Sequence, residues 1–204
     1  MLDIAVLIPV HPNRIANGML ERALKSVISQ TVQPREIHVV NDINGYGSGI
    51  TRNIGLEMVR SEWVAFLDSD DEWLPHHLET LASAVVTREI SGEQPVDVVY
   101  AGCRILDANE QEVELIEEWG RFGKPFDADI LRDRSYIPVT SLVNMKYAFG
   151  AQFIPPTGSI YDDWGFYLQL LNKGAKFLHI PEITWIWHHH GQNTSGQATK
   201  GDAV

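Results

Sequence analysis

Three short apolar runs constrain this chain more than any other feature: residues 4–8, 37–40 and 63–67 lie between longer stretches whose apolar side chains recur at helical spacing. Runs of this length, bounded by Pro, Asn, Asp or Gly, are too short for buried helices and fit strands covered on both faces. Residues 4–8 are closed by Pro9 and Pro12, after which Leu20, Ala23, Leu24, Val27 and Ile28 fall on one helical face. Strand 37–40 is followed by the turn-rich Asn44-Gly45-Tyr46-Gly47-Ser48-Gly49 and a predicted helix over 51–59. Strands alternating with helices in this way predict a mostly parallel sheet flanked by helices, an α/β fold of the Rossmann-like kind.

The second half reads as α+β. Pro75 is expected to open a helix whose buried stripe is Leu78, Leu81, Ala82, Val85 and Val86, ending in the polar break at 91–95. Strands 96–105 and 112–116 flank Asp107-Ala108-Asn109-Glu110 and predict a small antiparallel hairpin. A short strand near 139–143, a helix over 163–171 stopped by Gly174, and strands 176–180 and 184–187 complete the pattern. The expectation is one domain over residues 1–195, with 1–100 as a nucleotide-binding half and 101–195 as an acceptor-binding half, and a disordered tail over 196–204.

Charge limits the partners. With 16 Lys and Arg against 27 Asp and Glu the formal net charge is -11, and no basic cluster exists to track a nucleic-acid backbone. An anionic ligand would need a local cation, which favours a metal. The single Cys103 excludes an internal disulfide framework and reads as a packed small hydrophobe. The first residues run straight into a strand without a basic leader, and no apolar stretch approaches the ~20 residues of a bilayer span. A cytoplasmic protein is expected, with any membrane contact peripheral.

In an open parallel sheet ligands collect at the carboxyl ends of the strands, and here those ends are acidic. Asn41-Asp42 closes the second strand, where Asp42 is placed either to accept from a nucleoside or to form an Asx turn. Asp68-Ser69-Asp70-Asp71 closes the third; carboxylates this close repel one another unless a cation neutralises them. Mg²⁺ or Mn²⁺ takes hard oxygen ligands of this kind together with substrate phosphates. A helix N-terminus ahead of Pro75 would account for Asp71 and Glu72 but not for Asp68. Asp162-Asp163 opens the late helix as a cap or as something more. Any of His188-His189-His190 offers an imidazole, although consecutive strand residues point to opposite faces and cannot all converge.

Several segments occur in the order found in family 2 glycosyltransferases of the GT-A fold, which the chain resembles from about residue 4 to residue 195. They are Ile8-Pro9; Ser26-Val27-Ile28-Ser29-Gln30-Thr31; the acid-terminated strand Glu36 to Asp42; Thr51-Arg52-Asn53-Ile54-Gly55-Leu56; Phe66-Leu67-Asp68-Ser69-Asp70-Asp71-Glu72-Trp73-Leu74-Pro75; Asp162-Asp163-Trp164; and His190-Gly191-Gln192-Asn193-Thr194-Ser195. The resemblance implies an inverting transferase that moves a sugar from a nucleoside-diphosphate donor, UDP-linked, to an acceptor hydroxyl with the help of Mn²⁺ or Mg²⁺. It implies nucleotide contacts from Pro9, His11, Asp42, Arg52, Asp68 and Ser69, metal contacts from Asp70 of the DxD motif and from His190, and Asp163 as catalytic base, with Asp162 and Trp164 toward the acceptor. The chain departs from the family at Asn41, which replaces an acid, at His11-Pro12, which stands for Tyr-Asn, and in the shortened segment 43–50.

A nucleotidyltransferase shares the acidic metal site but needs a basic glycine-rich loop after the first strand, where residues 9–18 offer only Arg14. A non-catalytic nucleotide-sugar or glycan-binding module is the other alternative. The acceptor, whether glycan, protein or lipid-linked saccharide, is not encoded legibly; Trp119, Phe122 and Phe126 are placed to stack on a sugar or to serve as ordinary core or lid residues.

Overall fold

Burial explains the first and third expected strands, whereas the second is an edge strand with Ile37 and Val39 exposed rather than covered on both faces. The computed structural model describes residues 2–113, 123–159 and 161–190. Strand β1 (Ile4–Val10) is buried along its whole length, with β2 (Glu36–Asn41) and β3 (Trp63–Phe66) paired parallel on either side of it. Alternate residues serve opposite faces. Val6 and Ile8 join the cluster that holds Ala23 and Val27 of α2 (Met19–Ile28), while Leu7 joins the cluster against which Leu56 of α3 (Ser48–Met58) packs. A five-residue helix, α1 (Pro12–Ala16), precedes α2 and buries none of its residues. The chain leaves β1 to one side for β2 and returns across it to β3, so the strand order reverses at β1, where a crevice opens at the carboxyl ends.

The later elements are β4 (Glu72–Trp73), α4 (His77–Ser91), β5 (Val98–Asp107), α5 (Ala128–Asp133), β6 (Ser141–Asn144), α6 (Met145–Ala148), α7 (Asp162–Asn172) and β7 (Phe177–His189). The seven strands form one sheet in the order β2-β1-β3-β6-β5-β7-β4. β6 runs antiparallel to both β3 and β5, and β4 antiparallel to β7, so the sheet is mixed beyond β3. Helix α7 stops where Gly174, at φ 85°, lets its N–H reach the Leu171 carbonyl.

Two further expectations change. The strands read at 176–180 and 184–187 are one long strand, β7, paired parallel to β5 with register shifts around Gly102 where Pro181 and Glu182 pass. Proline has no N–H to give the ladder, so the sequence pattern breaks where the strand only bends. The helix expected from Pro75 begins at His77, with β4 between it and the acids. The hairpin starts as expected, with Leu106 bridged to Glu112 and the Val113 N–H on the Ile105 carbonyl, while the rest of strand 112–116 lies outside the described residues. Trp119, Phe122, the motif residues after His190 and the tail also lie outside them. Cys103 is half-buried against the core, and burial pushes its thiol up to about 12, as a packed residue requires. Among the described residues no helix is long and apolar enough to cross a membrane.

Candidate active site

A cleft of about 410 Å³ opens at the carboxyl ends of β1, β2 and β3 and is closed on its far side by the start of α7 and the end of β7. Pro9 and His11 come to it from β1, Arg14 from α1, Asp42 from β2, Arg52 from α3, Asp68, Asp70 and Asp71 from β3, Asp162 and Asp163 from α7, and His190 from β7. The acids after β3 are set by backbone bonds: the Leu67 N–H reaches the Leu7 carbonyl at 3.1 Å, and the Asp71 N–H returns to the Asp68 carbonyl at 3.0 Å. Arg22 fixes the turn from behind by donating Nη2 to the Asp70 carbonyl at 2.6 Å.

Asp70 carries the densest set of partners. Arg14 donates Nη1 to Oδ1 at 2.9 Å and Nη2 to Oδ2 at 2.8 Å, and His190 Nε2 lies 3.1 Å from the same Oδ2. Burial alone would raise its carboxyl, but the bond to His190 and the charge of Arg14 outweigh it and hold the group below the ordinary range. Asp71 shows the opposite balance. It accepts the His188 N–H at 3.0 Å, yet burial and the neighbouring charges of Asp70 and Asp68 push its carboxyl well up.

Oxygen atoms of Asp68, Asp70 and Asp71 lie within 4.8 Å of one another. Three hard oxygen donors at this spacing suit Mg²⁺ or Mn²⁺. The residues therefore fit a divalent cation. A helix N-terminus does not explain Asp71 and Glu72, because α4 starts only at His77.

Arg52 ties the two ends of the cleft together. Its Nη2 donates to Asp68 Oδ1 at 2.5 Å and its Nη1 to Asp162 Oδ1 at 3.3 Å, while the guanidinium carbon stands 5.1 Å above the Phe153 ring. Burial disfavours its charge, but Asp68 and Asp162 more than restore it. Asn53, the next residue, receives the Phe153 N–H at 2.7 Å and returns a bond to the Phe153 carbonyl. Gly49 is glycine for a local reason: a Cβ there would press on the Phe153 carbonyl at 3.0 Å and displace the Asp162 carboxylate, so glycine suits the close start of α3 and α7.

Asp162 and Asp163 are first-turn residues of α7 rather than its cap, which is Tyr161 with no side-chain cap bond. Asp163 accepts the Trp164 N–H at 2.8 Å and faces the cleft. Burial first, and the charge of Asp162 second, push its carboxyl from the ordinary 3.8 up to about 7, against the opposing pull of Arg52. A carboxyl poised near neutrality can take and give a proton.

Most of the residues singled out in the sequence converge here, with different local duties. Both Asp42 oxygens accept backbone N–H groups, from Tyr46 and Gly47 at 2.8 Å each, so this buried acid shapes the loop into α3 while also lining the cleft. His11 caps α1 through Nδ1. Ser69 is fully buried and Trp164 turns its indole N–H to the Leu131 carbonyl at 2.6 Å, and neither lines the cleft. Phe126 stacks on Phe177 with ring centroids 4.6 Å apart, which is a packing role. Three participants gave no sequence signal strong enough to single out: Arg14, Ser48, which donates to Asp162 at 3.3 Å, and Tyr161, which lines the cleft. Only the topology brings Arg14 and Ser48 beside acids 56 and 114 positions away, whereas Tyr161 directly precedes Asp162.

Comparison with known proteins bears on the same region. The sequence pattern described as glycosyl transferase family 2 matches residues 43–128, which include the Arg52 helix and the acids after β3 but not β1, α7 or His190. The succinoglycan biosynthesis protein ExoW of Rhizobium meliloti is 34% identical over 105 residues, covering 38% of this chain and 32% of that protein. An uncharacterized glycosyltransferase of Nostoc sp. is 28% identical over 126 residues, covering 50% of this chain and 37% of that protein. The matched stretches thus span about a third of the length of each curated relative. Among solved structures, S. aureus TarS 1-349 in complex with UDP superposes with a TM-score of 0.67 at 17% identity, over 92% of this chain and 60% of that one. The same protein in complex with UDP-GlcNAc gives 0.66 at 16% identity, over 97% and 61%. At such identity the likeness is one of fold, the GT-A arrangement of a curled mixed sheet with its parallel strands first.

Proposed function

From the premise that this chain is similar to the family 2 glycosyltransferases in sequence pattern and in fold, we propose that it transfers a sugar from a nucleoside-diphosphate sugar to an acceptor hydroxyl by direct, inverting displacement. The observation that carries this reading is one cleft holding two kinds of acid: the cation-grade cluster Asp68, Asp70 and Asp71, and the separate carboxyl Asp163 pushed up to about 7. The UDP and UDP-GlcNAc bound in the TarS structures support a UDP-linked donor. The base and ribose would lie along Pro9, His11 and Asp42, with Arg52 and Asp68 beneath the ribose, and the acceptor would enter from the side built by residues after 101.

In the displacement, the acceptor oxygen forms a bond to the anomeric carbon as the bond from that carbon to the diphosphate oxygen breaks, its electron pair leaving with the diphosphate. Asp163 takes the proton of the acceptor hydroxyl. A divalent cation, Mn²⁺ or Mg²⁺, held by Asp70 with His190 beside it would neutralise charge on the departing diphosphate. Arg52 keeps Asp68 and Asp162 apart from the proton transfer by pairing with both.

Calorimetry of UDP with and without Mn²⁺ tests the cation half of this reading: Asp70→Ala is expected to abolish the Mn²⁺-dependent part of UDP affinity, and unchanged affinity would remove Asp70 from the site. Slow hydrolysis of UDP-sugars by the purified protein separates a transferase from a binding module, which would leave every donor of a UDP-sugar panel intact.

A further inference from the structure

We propose that Arg14 is an exchangeable counter-ion for Asp70: a divalent cation binds only when this guanidinium is displaced, and the displaced guanidinium then binds the diphosphate of the nucleotide. The inference rests on reading the cleft as a cation and nucleoside-diphosphate site.

The geometry sets up a competition. Both Asp70 oxygens are engaged by the two ends of the Arg14 fork, at 2.9 and 2.8 Å, and Arg14 Nη1 also donates to Ser69 Oγ at 3.4 Å. The Asp70 side chain is only 5% exposed, so its oxygens are approached from the cleft, where Arg14 lies across them. An ion seeking Asp70 has to take the place of that guanidinium.

Arg14 is built to move, and Arg52 is not. The Arg14 side chain is 27% exposed and stands on α1, which buries none of its residues. The Arg52 side chain is 4% exposed and held by two carboxylates and the Phe153 ring. When Arg14 leaves, Arg22 still holds the Asp70 backbone through its carbonyl at 2.6 Å, and His190 Nε2 remains 3.1 Å from Oδ2. A guanidinium fork matches phosphate as well as carboxylate, so the diphosphate offers the released side chain an equivalent partner in the same cleft. Cation and nucleotide therefore favour each other's binding through Arg14.

The test is Mn²⁺ titration calorimetry on the full chain, with and without UDP, for the parent, Arg14→Gln and Arg14→Lys. If the open arrangement is populated one to ten per cent of the time, as minor states commonly are, its Mn²⁺ affinity is reduced roughly ten- to hundredfold. Arg14→Gln is then expected to bind Mn²⁺ tighter by that factor without nucleotide and to bind UDP more weakly. Arg14→Lys, which keeps the charge and loses the fork, should fall between. The factor by which UDP strengthens Mn²⁺ binding should shrink in Arg14→Gln. Equal or weaker Mn²⁺ affinity in Arg14→Gln, in a parent that binds Mn²⁺ with UDP, overturns the inference and leaves the cation site standing. A parent that binds no Mn²⁺ even with UDP overturns both. Circular dichroism checks the fold; if Arg14→Gln does not fold, Arg14→Lys decides, tighter binding supporting the exchange and unchanged binding overturning it.

Discussion

Asp70 and Asp163, one from each acidic group of the cleft, are opposites in how their charge is managed. After β3, Asp70 is held ionised by Arg14 and His190, and Asp68 is paired with Arg52. At the start of α7, Asp162 shares Arg52, while Asp163 has the Trp164 N–H and a neighbouring charge that pushes it up to about 7. On the function proposed, Asp70 keeps its negative charge in place beside a cation and Asp163 exchanges a proton. Asp70 and Asp163 diverge because the first meets Arg14 and His190 while the second meets burial and a like charge, the balance that also raises Asp71.

The largest test of this contrast is catalytic. Asp163→Asn removes the proposed proton acceptor and leaves Arg14, Arg52 and the β3 acids untouched, so turnover is expected to fall roughly 10²- to 10⁴-fold with UDP affinity retained. Steady-state kinetics beside calorimetry reads both; turnover near the parent's would take Asp163 out of the mechanism. The pH profile sharpens the same point. A base with its carboxyl raised to about 7 is active only when ionised, so kcat/KM should fall about tenfold per pH unit below 7 and level off above it. A profile flat down to pH 5 would contradict the assignment.

Arg52 joins the two groups, and its removal should damage both. Its side chain is 4% exposed, but Asp68 and Asp162 are 27% and 21% exposed, so water relieves part of the charge left behind. Against the 3–5 kcal/mol typical of a broken buried pair, about 2–3 kcal/mol is expected for Arg52→Ala. That corresponds to a melting temperature lower by roughly 5–10 °C. Because Arg52 pulls the Asp163 carboxyl down, the acid limb of the pH profile should also move to higher pH in Arg52→Lys if the lysine reaches less far. A drop in melting temperature with no movement of the limb would make Arg52 a purely structural tie.

The parts of this arrangement legible in the sequence were those fixed by local rules. Strands β1 and β3 follow from uninterrupted apolar runs and β2 from Ile37, Val39 and Val40 around His38, and the acids at their ends follow from where those runs stop. The Gly174 stop of α7 needed only a positive φ. What could not be read was set by distant chain: Arg14 is an ordinary surface arginine until β3 brings Asp70 to it, 56 positions on, and Gly49 is one turn glycine among several until α7 arrives beside it. The antiparallel placing of β6 between β3 and β5 is of the same kind, since four residues carry no record of their partners. Asp163 was legible as a candidate, while its elevated carboxyl depends on burial and on Asp162 and Arg52 together.

The smallest effect is also the most direct measure of the difference between the two groups. A carboxyl raised from 3.8 to about 7 prefers its proton in the folded state, so it adds nothing below pH 4, costs stability progressively between 4 and 7, and exacts the full cost above 7. Asp163→Asn removes that cost. With solvent screening at the cleft wall the gain should be on the order of 1 kcal/mol at pH 8, a rise of roughly 2–4 °C in melting temperature, and close to nothing at pH 4. Asp70→Asn has the reverse sign: its carboxyl lies below the ordinary range, so ionisation contributes stability above that range and the substitution should lower the melting temperature at pH 8. Melting both variants at pH 4 and pH 8 therefore sorts the acids by the sign of one number. An equal gain for Asp163→Asn at both pH values would mean that packing, not ionisation, separates it from Asp70.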